Sequence, residues 1–291
     1  MSKTGAWIEA MRLRTLPVSV AGVIAGVGLS LLAGIFRPVP AILCLGVAVL
    51  AQIASNFANE YYDYKAGIDR PGREGPRRGV TEGDLTPGAM LRATYLTLAA
   101  ACLVGCGLIY YGGWWMIAVG VAVAVGAVAY SAGPYPLSHH GLGELAVVIF
   151  FGIVPVGFTF YLQSGAWPSW VTAIALAMGL AVANVLIVNN YRDFDDDRRV
   201  GKQTLAQFIG RRNYRNLYLV NSLCAVMLCY SLRGFAPSAM AAIPAAYLTV
   251  SLLIWAALGR REGRSLTPLL GMTAVTILIS ATGFAIWAAL A

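Results

Sequence analysis

The chain reads as an all-α polytopic membrane protein with nine transmembrane helices. Three observations say so: its composition, the spacing of its apolar runs, and the side on which its charges fall. Of 291 residues 58% are hydrophobic and only 12% charged, and mean hydropathy is +0.69. A soluble domain carries about 25% charged residues. A hydrocarbon core needs about 20 apolar residues per helical span. Nine runs qualify: 16–35, 40–60, 89–111, 114–132, 145–163, 169–189, 214–232, 237–258 and 268–290.

The first run follows a short basic N-terminus with Lys3, Arg12 and Arg14. It is long enough to span, so it is expected to stay as a helix rather than be cleaved as a signal. The second ends in Asn56-Phe-Ala-Asn59-Glu60-Tyr-Tyr-Asp63. The connection at 64–88 is rich in Gly and Pro, which predicts turns rather than a long helix. Thr86 and Pro87 then suit the N-cap and first position of the third helix. Tyr111-Gly-Gly113 separates the third and fourth runs, and residues 163–168 separate the fifth and sixth. The sixth ends in Asn189-Asn190-Tyr-Arg192-Asp193-Phe-Asp195-Asp196-Asp197, followed by a polar loop at 194–213. A few residues around Arg233 join the seventh and eighth, and Arg260, Arg261 and Arg264 precede the ninth.

With nine spans, 19 of the 21 Lys and Arg residues fall on one side; Arg37 and Arg233 are the exceptions. The positive-inside rule makes the crowded side cytoplasmic. That puts the N-terminus inside and the C-terminus outside. All thirteen acids map to the same face, although that rule does not govern them. The polar chemistry is therefore expected at one membrane face. Orientation accounts for most of the net charge of +8, so it does not argue for nucleic acid; lipid head groups are the general partner. The five cysteines lie inside the runs and form neither a thiolate metal set nor a disulfide framework.

The chain is expected to form one domain, 1–291, with a parallel four-helix repeat over about 16–132 and 145–258 and the ninth helix, 268–290, left over. The repeat rests on two Asn-x-x-x-Asp helix ends, 130 residues apart. Four-residue spacing stacks side chains on one helix face. Asn59 and Asp63 form the first pair; Asn189, Asp193 and Asp197 form a longer second set. Hard oxygen donors without His or Cys suit Mg²⁺, which binds through one or two carboxylates plus substrate phosphates. A solvated helix end paired with Arg192, Arg198 and Arg199 is the alternative for the second set alone. Nearby bases, Lys65, Arg70, Arg73, Arg77, Arg78, Arg192 and Lys202, suit diphosphate oxygens.

These stretches, with Arg70-Pro-Gly-Arg-Glu-Gly-Pro-Arg-Arg-Gly79, Tyr130-Ser-Ala-Gly-Pro-Tyr-Pro-Leu137, Gly141-Leu-Gly-Glu144 and Gly201-Lys-Gln-Thr-Leu205, resemble the UbiA superfamily of intramembrane aromatic prenyltransferases. The branch they resemble most acts on 1,4-dihydroxy-2-naphthoate in menaquinone biosynthesis. The resemblance covers nearly the whole chain. It implies helices around a central cavity capped by cytoplasmic loops, in a bacterial cytoplasmic (inner) membrane. It also implies two Mg²⁺ ions bridging the diphosphate of a polyprenyl donor, one held by Asn59 and Asp63, the other by Asp193 and Asp197. Asp69 and Asn189 join them as further metal candidates, and Tyr135 as a catalytic candidate. His139 stands where many relatives carry a diphosphate-binding Lys. Two departures are visible: Glu60 replaces the first Asp of the usual motif, and Gly67 stands where its last Asp is expected. Other aromatic acceptors, 4-hydroxybenzoate or homogentisate, and a lipid-diphosphate transporter are the competing readings.

Overall fold

A computed structural model describes residues 2–72, 75–234 and 236–291. Its helices are α1 (Lys3–Ala10), α2 (Leu16–Leu32), α3 (Pro38–Lys65), α4 (Pro87–Gly112), α5 (Met116–Ala129), α6 (Gly143–Val147), α7 (Phe158–Ser164), α8 (Ser169–Arg192), α9 (Phe194–Arg199), α10 (Leu205–Ile209), α11 (Arg211–Cys229), α12 (Pro237–Leu258) and α13 (Thr267–Leu290). Among the described residues there is no strand. Proline sits at the first or second position of α2, α3, α4 and α13, where its missing N–H is no loss. Thr86 caps α4 as the sequence predicts, its hydroxyl accepting from the Ala89 amide at 3.2 Å.

Each of the nine apolar runs is helical. Seven helical stretches among the described residues are both long and apolar enough to cross a membrane. The other two fall short of the count of nine for different reasons. Helix α5 has 14 residues, about 21 Å at 1.5 Å per residue, against a hydrocarbon core of about 30 Å. Helix α11 opens on Arg211, Arg212, Asn213 and Arg215, so its apolar part is shorter than its 19 residues.

Helix α6 runs into α7 through a wide π-helical stretch, Val148–Gly157. Pro155 lies inside it; its ring would crowd the Phe151 carbonyl in a regular α-turn, and wider turns absorb such conflicts. This stretch packs backbone to backbone on α8. A Cβ on Gly152 would meet the Ala175 carbonyl oxygen at 2.4 Å, and one on Gly179 the Val148 oxygen at 2.7 Å. Small residues give membrane helices this close approach. The largest core cluster joins α2, the π stretch, α8 and α13. Large apolar side chains such as Leu96, Leu103, Leu253 and Ile279 stand exposed on the outside, as a lipid-facing surface requires.

The polar ends differ from their expected form. The segment 194–213, expected as a loop, folds into α9 and α10. Residues ahead of the first run form α1, whose Ala6 and Ala10 pack on Phe57, Val80 and Met90. The loop after α3 is turn-rich as expected. A backbone bridge between His140 and Gln203 ties the 137–141 turn to the segment after α9.

Candidate active site

Helix α3 continues unbroken through its polar end, so Asn59 and Asp63 share a face as their spacing predicts. It stops soon after. Gly67 takes φ +71°, and the Ile68 amide closes on the Asp63 carbonyl at 2.9 Å, a left-handed helix ending that favours glycine. No third Asp is carried on that face because the helix has ended. Helix α8 ends at Arg192, and Asp193 sits at the junction with α9. The four-residue hydrogen bonds persist across this junction, from the Asp193 amide to the Asn189 carbonyl (3.0 Å) and from Asp197 to Asp193 (2.8 Å).

Asn59 is the hub of the first set. Its amide donates to Asp63 Oδ2 and Ser131 Oγ, both at 2.9 Å. Its Oδ1 accepts from Arg12 and from Arg78 Nη2 (3.2 Å). Asp63 also meets His139 Nε2 at 3.1 Å. Asp69 is buried with Arg78 Nε 3.0 Å away, and Arg78 thus links Asp69 to Asn59. Glu60 faces elsewhere: its carboxylate accepts the Val80 amide at 3.1 Å, pinning the cap loop to α3. In the second set Arg192 donates to both oxygens of Asp193 (2.6 and 2.8 Å) and to Asn189 Oδ1 (2.8 Å). Lys202 Nζ lies 3.6 Å from Asp197.

A cavity of about 540 Å³ joins the two sets. Asn59, Asp63, Asn189, Arg12, Arg78 and Lys202 line its polar end; Val23, Leu108, Met116, Phe150 and Phe158 line the rest. It reaches the outside of the bundle between α4 and α5, where the lining residues Cys102, Cys106, Val121 and Val125 are exposed.

Of the residues singled out in the sequence, Asn59, Asp63, Asn189, Arg78 and Lys202 therefore meet at one cavity. Asp69, His139, Arg192, Asp193 and Asp197 stand behind or beside them in direct contact with another member of the two sets. Lys65, Arg70 and Arg77 are exposed outside the cavity lining, with Arg77 paired to Asp84. That contact holds the Asp84 carboxyl below its ordinary pKa. Tyr135 is also exposed, stacked on the His140 ring at 3.7 Å. Arg73 lies outside the described residues. Arg12, Tyr130 and Asn190 line the cavity but carry no spacing signal. Arg12 sits at φ 51°, a conformation disfavoured for a side chain of its size, which turns the chain between α1 and α2.

The donor set fits Mg²⁺. Asn59 Oδ1, Asp63, Asp193 and Asp197 each hold a cationic or imidazole side chain, so each position already favours positive charge. Among the described residues no three His, Cys, Asp or Glu side chains form a closed metal cluster.

An all-helical bundle with a one-ended polar cavity, walled by apolar side chains, defines an integral membrane protein that handles an amphiphilic anion. The UbiA prenyltransferase family model matches residues 19–268, and the chain belongs to that family. It is 37% identical over 288 residues to a 1,4-dihydroxy-2-naphthoate octaprenyltransferase of Mycobacterium tuberculosis (strain ATCC 25618 / H37Rv), covering 98% of this chain and 97% of that protein. A protein of the same description from Escherichia coli (strain K12) is 37% identical over 240 residues, 78% of this chain and 77% of its own. The fold matches that of a UbiA homologue from Archaeoglobus fulgidus bound to GPP and Mg²⁺, with TM-score 0.65, 16% identity, and coverage of 97% and 100%.

Proposed function

We propose that this protein transfers a polyprenyl group from polyprenyl diphosphate to 1,4-dihydroxy-2-naphthoate, releasing carbon dioxide and diphosphate. The reading places it in the bacterial cytoplasmic membrane, with its site on the cytoplasmic side and its C-terminus outside. One observation carries it: a single cavity has an anion-binding polar end and a long apolar remainder that opens sideways. The descriptions of the bacterial relatives support the acceptor, and the archaeal homologue supports the donor class and the metal.

Arg12, Arg78 and Lys202 grip the diphosphate at the polar end through charge-assisted hydrogen bonds. Asn59 and Asp63, and separately Asp193 and Asp197, would hold two Mg²⁺ ions, with Asp69 and Asn189 supporting them. Bound there, Mg²⁺ neutralises the diphosphate and improves it as a leaving group. The isoprenoid tail lies along the apolar wall toward the α4–α5 opening. The bond between the donor's first carbon and oxygen breaks, its electron pair leaving with the diphosphate. Tyr130 and Phe150 exclude water from the resulting allylic cation and offer it aromatic faces. The acceptor ring carbon that carries the carboxylate forms the new C–C bond. Carbon dioxide then leaves, and the electron pair of the broken bond restores the ring. No ring C–H proton needs a base.

The test is direct. Purified protein, Mg²⁺, a polyprenyl diphosphate and carboxyl-labelled dihydroxynaphthoate should give a prenylated naphthoquinol and labelled carbon dioxide in equal amounts. EDTA should stop turnover, and added Mg²⁺ should restore it. Product with another phenolic acid but none with dihydroxynaphthoate would overturn the acceptor.

A further inference from the structure

The Gly141-Leu-Gly-Glu144 motif lies outside the cavity lining, yet it buries a carboxylate. Glu144 is buried at the start of α6, and among the described residues no Lys or Arg forms an ion pair with it. Its Oε1 instead accepts from the Tyr214 hydroxyl and, at 3.3 Å, from Asn190 Nδ2. The same Asn190 amide group lies 3.1 Å from the Tyr214 oxygen. Tyr214 itself is fully buried. Burying a carboxylate costs several kcal/mol, and apolar packing could hold three helices together at lower cost. The arrangement does something packing cannot. The Tyr214 hydroxyl gives its proton to Glu144, so both oxygens are left as acceptors for Asn190 and its NH₂ end faces them. That fixes the amide orientation and leaves Oδ1, an acceptor, as its other end.

Asn190 lines the cavity. It belongs to a stripe of α8, Val182, Val185, Leu186, Asn189 and Asn190, that lines it at helical spacing. Asn189, beside it, is committed to Arg192 on the charged side. Asn190 therefore stands next to the diphosphate end, with Tyr130 also in the lining.

We propose that Asn190, oriented by Glu144 and Tyr214, is the subsite that accepts a hydrogen bond from a ring hydroxyl of the aromatic acceptor. Glu144 and Tyr214 are positioning residues. The subsite selects a phenol with a hydroxyl at one particular ring position, because a site built around such a bond rejects an analogue lacking it far more strongly than apolar contact can. This inference rests on the acceptor reading above.

The experiment measures inhibition by two analogues, 1-hydroxy-2-naphthoate and 4-hydroxy-2-naphthoate, each missing one hydroxyl, against purified enzyme turning over dihydroxynaphthoate. The wild type should bind one analogue about tenfold more tightly than the other, the scale of one hydrogen bond. In Asn190→Leu that ratio should fall to about one, while KM for the prenyl diphosphate stays within about twofold, since the diphosphate contacts are untouched. Tyr214→Phe removes a single oxygen and no packing; it should lower the ratio about two- to fivefold by loosening the amide. Equal binding of both analogues by the wild type overturns the subsite. So does an unchanged ratio in either variant, or a donor KM that rises in step with the acceptor constants. A wild type that prenylates no dihydroxynaphthoate overturns the acceptor reading itself, a result visible before any variant is made.

Discussion

The ends of α3 and α8 carry the same Asn-x-x-x-Asp spacing and are held in opposite ways. At the end of α3 the partners come from far along the chain. Arg12 lies 47 residues from Asn59, Ser131 lies 72 away, and His139 lies 76 from Asp63. At the end of α8 they come from the next turn: Arg192 binds Asp193 and Asn189, and Lys202 approaches Asp197. The contacts named at the second end come mostly from nearby in the chain, with Arg211 reaching Asp195 from 16 residues away, whereas those at the first end come from distant elements. The likeness of the two motifs in sequence hides this. Only the first doubles as the point where the N-terminal segment, α5's end and the cap loop meet α3.

The comparison can be broken at several strengths. The largest effects should come from Asp63→Ala and Asp193→Ala. Each should lower turnover about a thousandfold or more, the scale expected when a metal ligand is lost, while the protein still inserts in the membrane. The milder changes Asp63→Asn and Asp193→Asn should separate the two ends. Asp63→Asn should lower Tm in detergent more, because it loosens contacts between distant elements. Equal Tm losses would sink the claim that the Asp63 contacts join distant elements.

Next comes Lys202, which lines the cavity beside Asp197 and acts at a distance on Asp63. Lys202→Met should raise KM for the prenyl diphosphate about tenfold or more, the worth of one charged hydrogen bond. An unchanged donor KM would remove it from the diphosphate site. Arg78→Met should then destabilise the protein by about 1–3 kcal/mol, because it removes the guanidinium that joins buried Asp69 to Asn59. Adding Asp69→Asn to that variant should recover part of the loss, as read from thermal melts. The smallest effect should come from Arg77→Ala. Its contact with Asp84 is at the exposed cap surface, and such pairs contribute little. Turnover and Tm should both stay at wild-type values, and a clear loss of turnover would bring the cap surface into the site.

Much of the site was readable from spacing because helix geometry is local. Residues four apart share a face whatever surrounds them, so Asn59 with Asp63, and Asn189 with Asp193, were visible at once. Proximity in sequence misled where it stood in for proximity in space. Lys65, Arg70 and Arg77 adjoin the first motif yet stay outside the cavity, while Arg12, counted from sequence only as an orienting charge, reaches Asn59. Glu60 and Gly67, the two departures from the family pattern, also found their reasons in the fold. One anchors the cap loop at Val80, and the other ends the helix.

Composition and periodicity alone determined that this chain is an all-helical membrane protein. In lipid only helices and closed barrels satisfy every backbone group, and runs of about 20 apolar residues select the helix. Counting spans went less far, because apolar length in sequence says nothing of where α5 stops or how much of α11 is polar. Which cation meets which carboxylate, and which amide ends face the cavity, only the tertiary structure decided. Those contacts close loops of tens of residues, and they form only once packing of α2, α3, α8 and the π stretch brings the ends together.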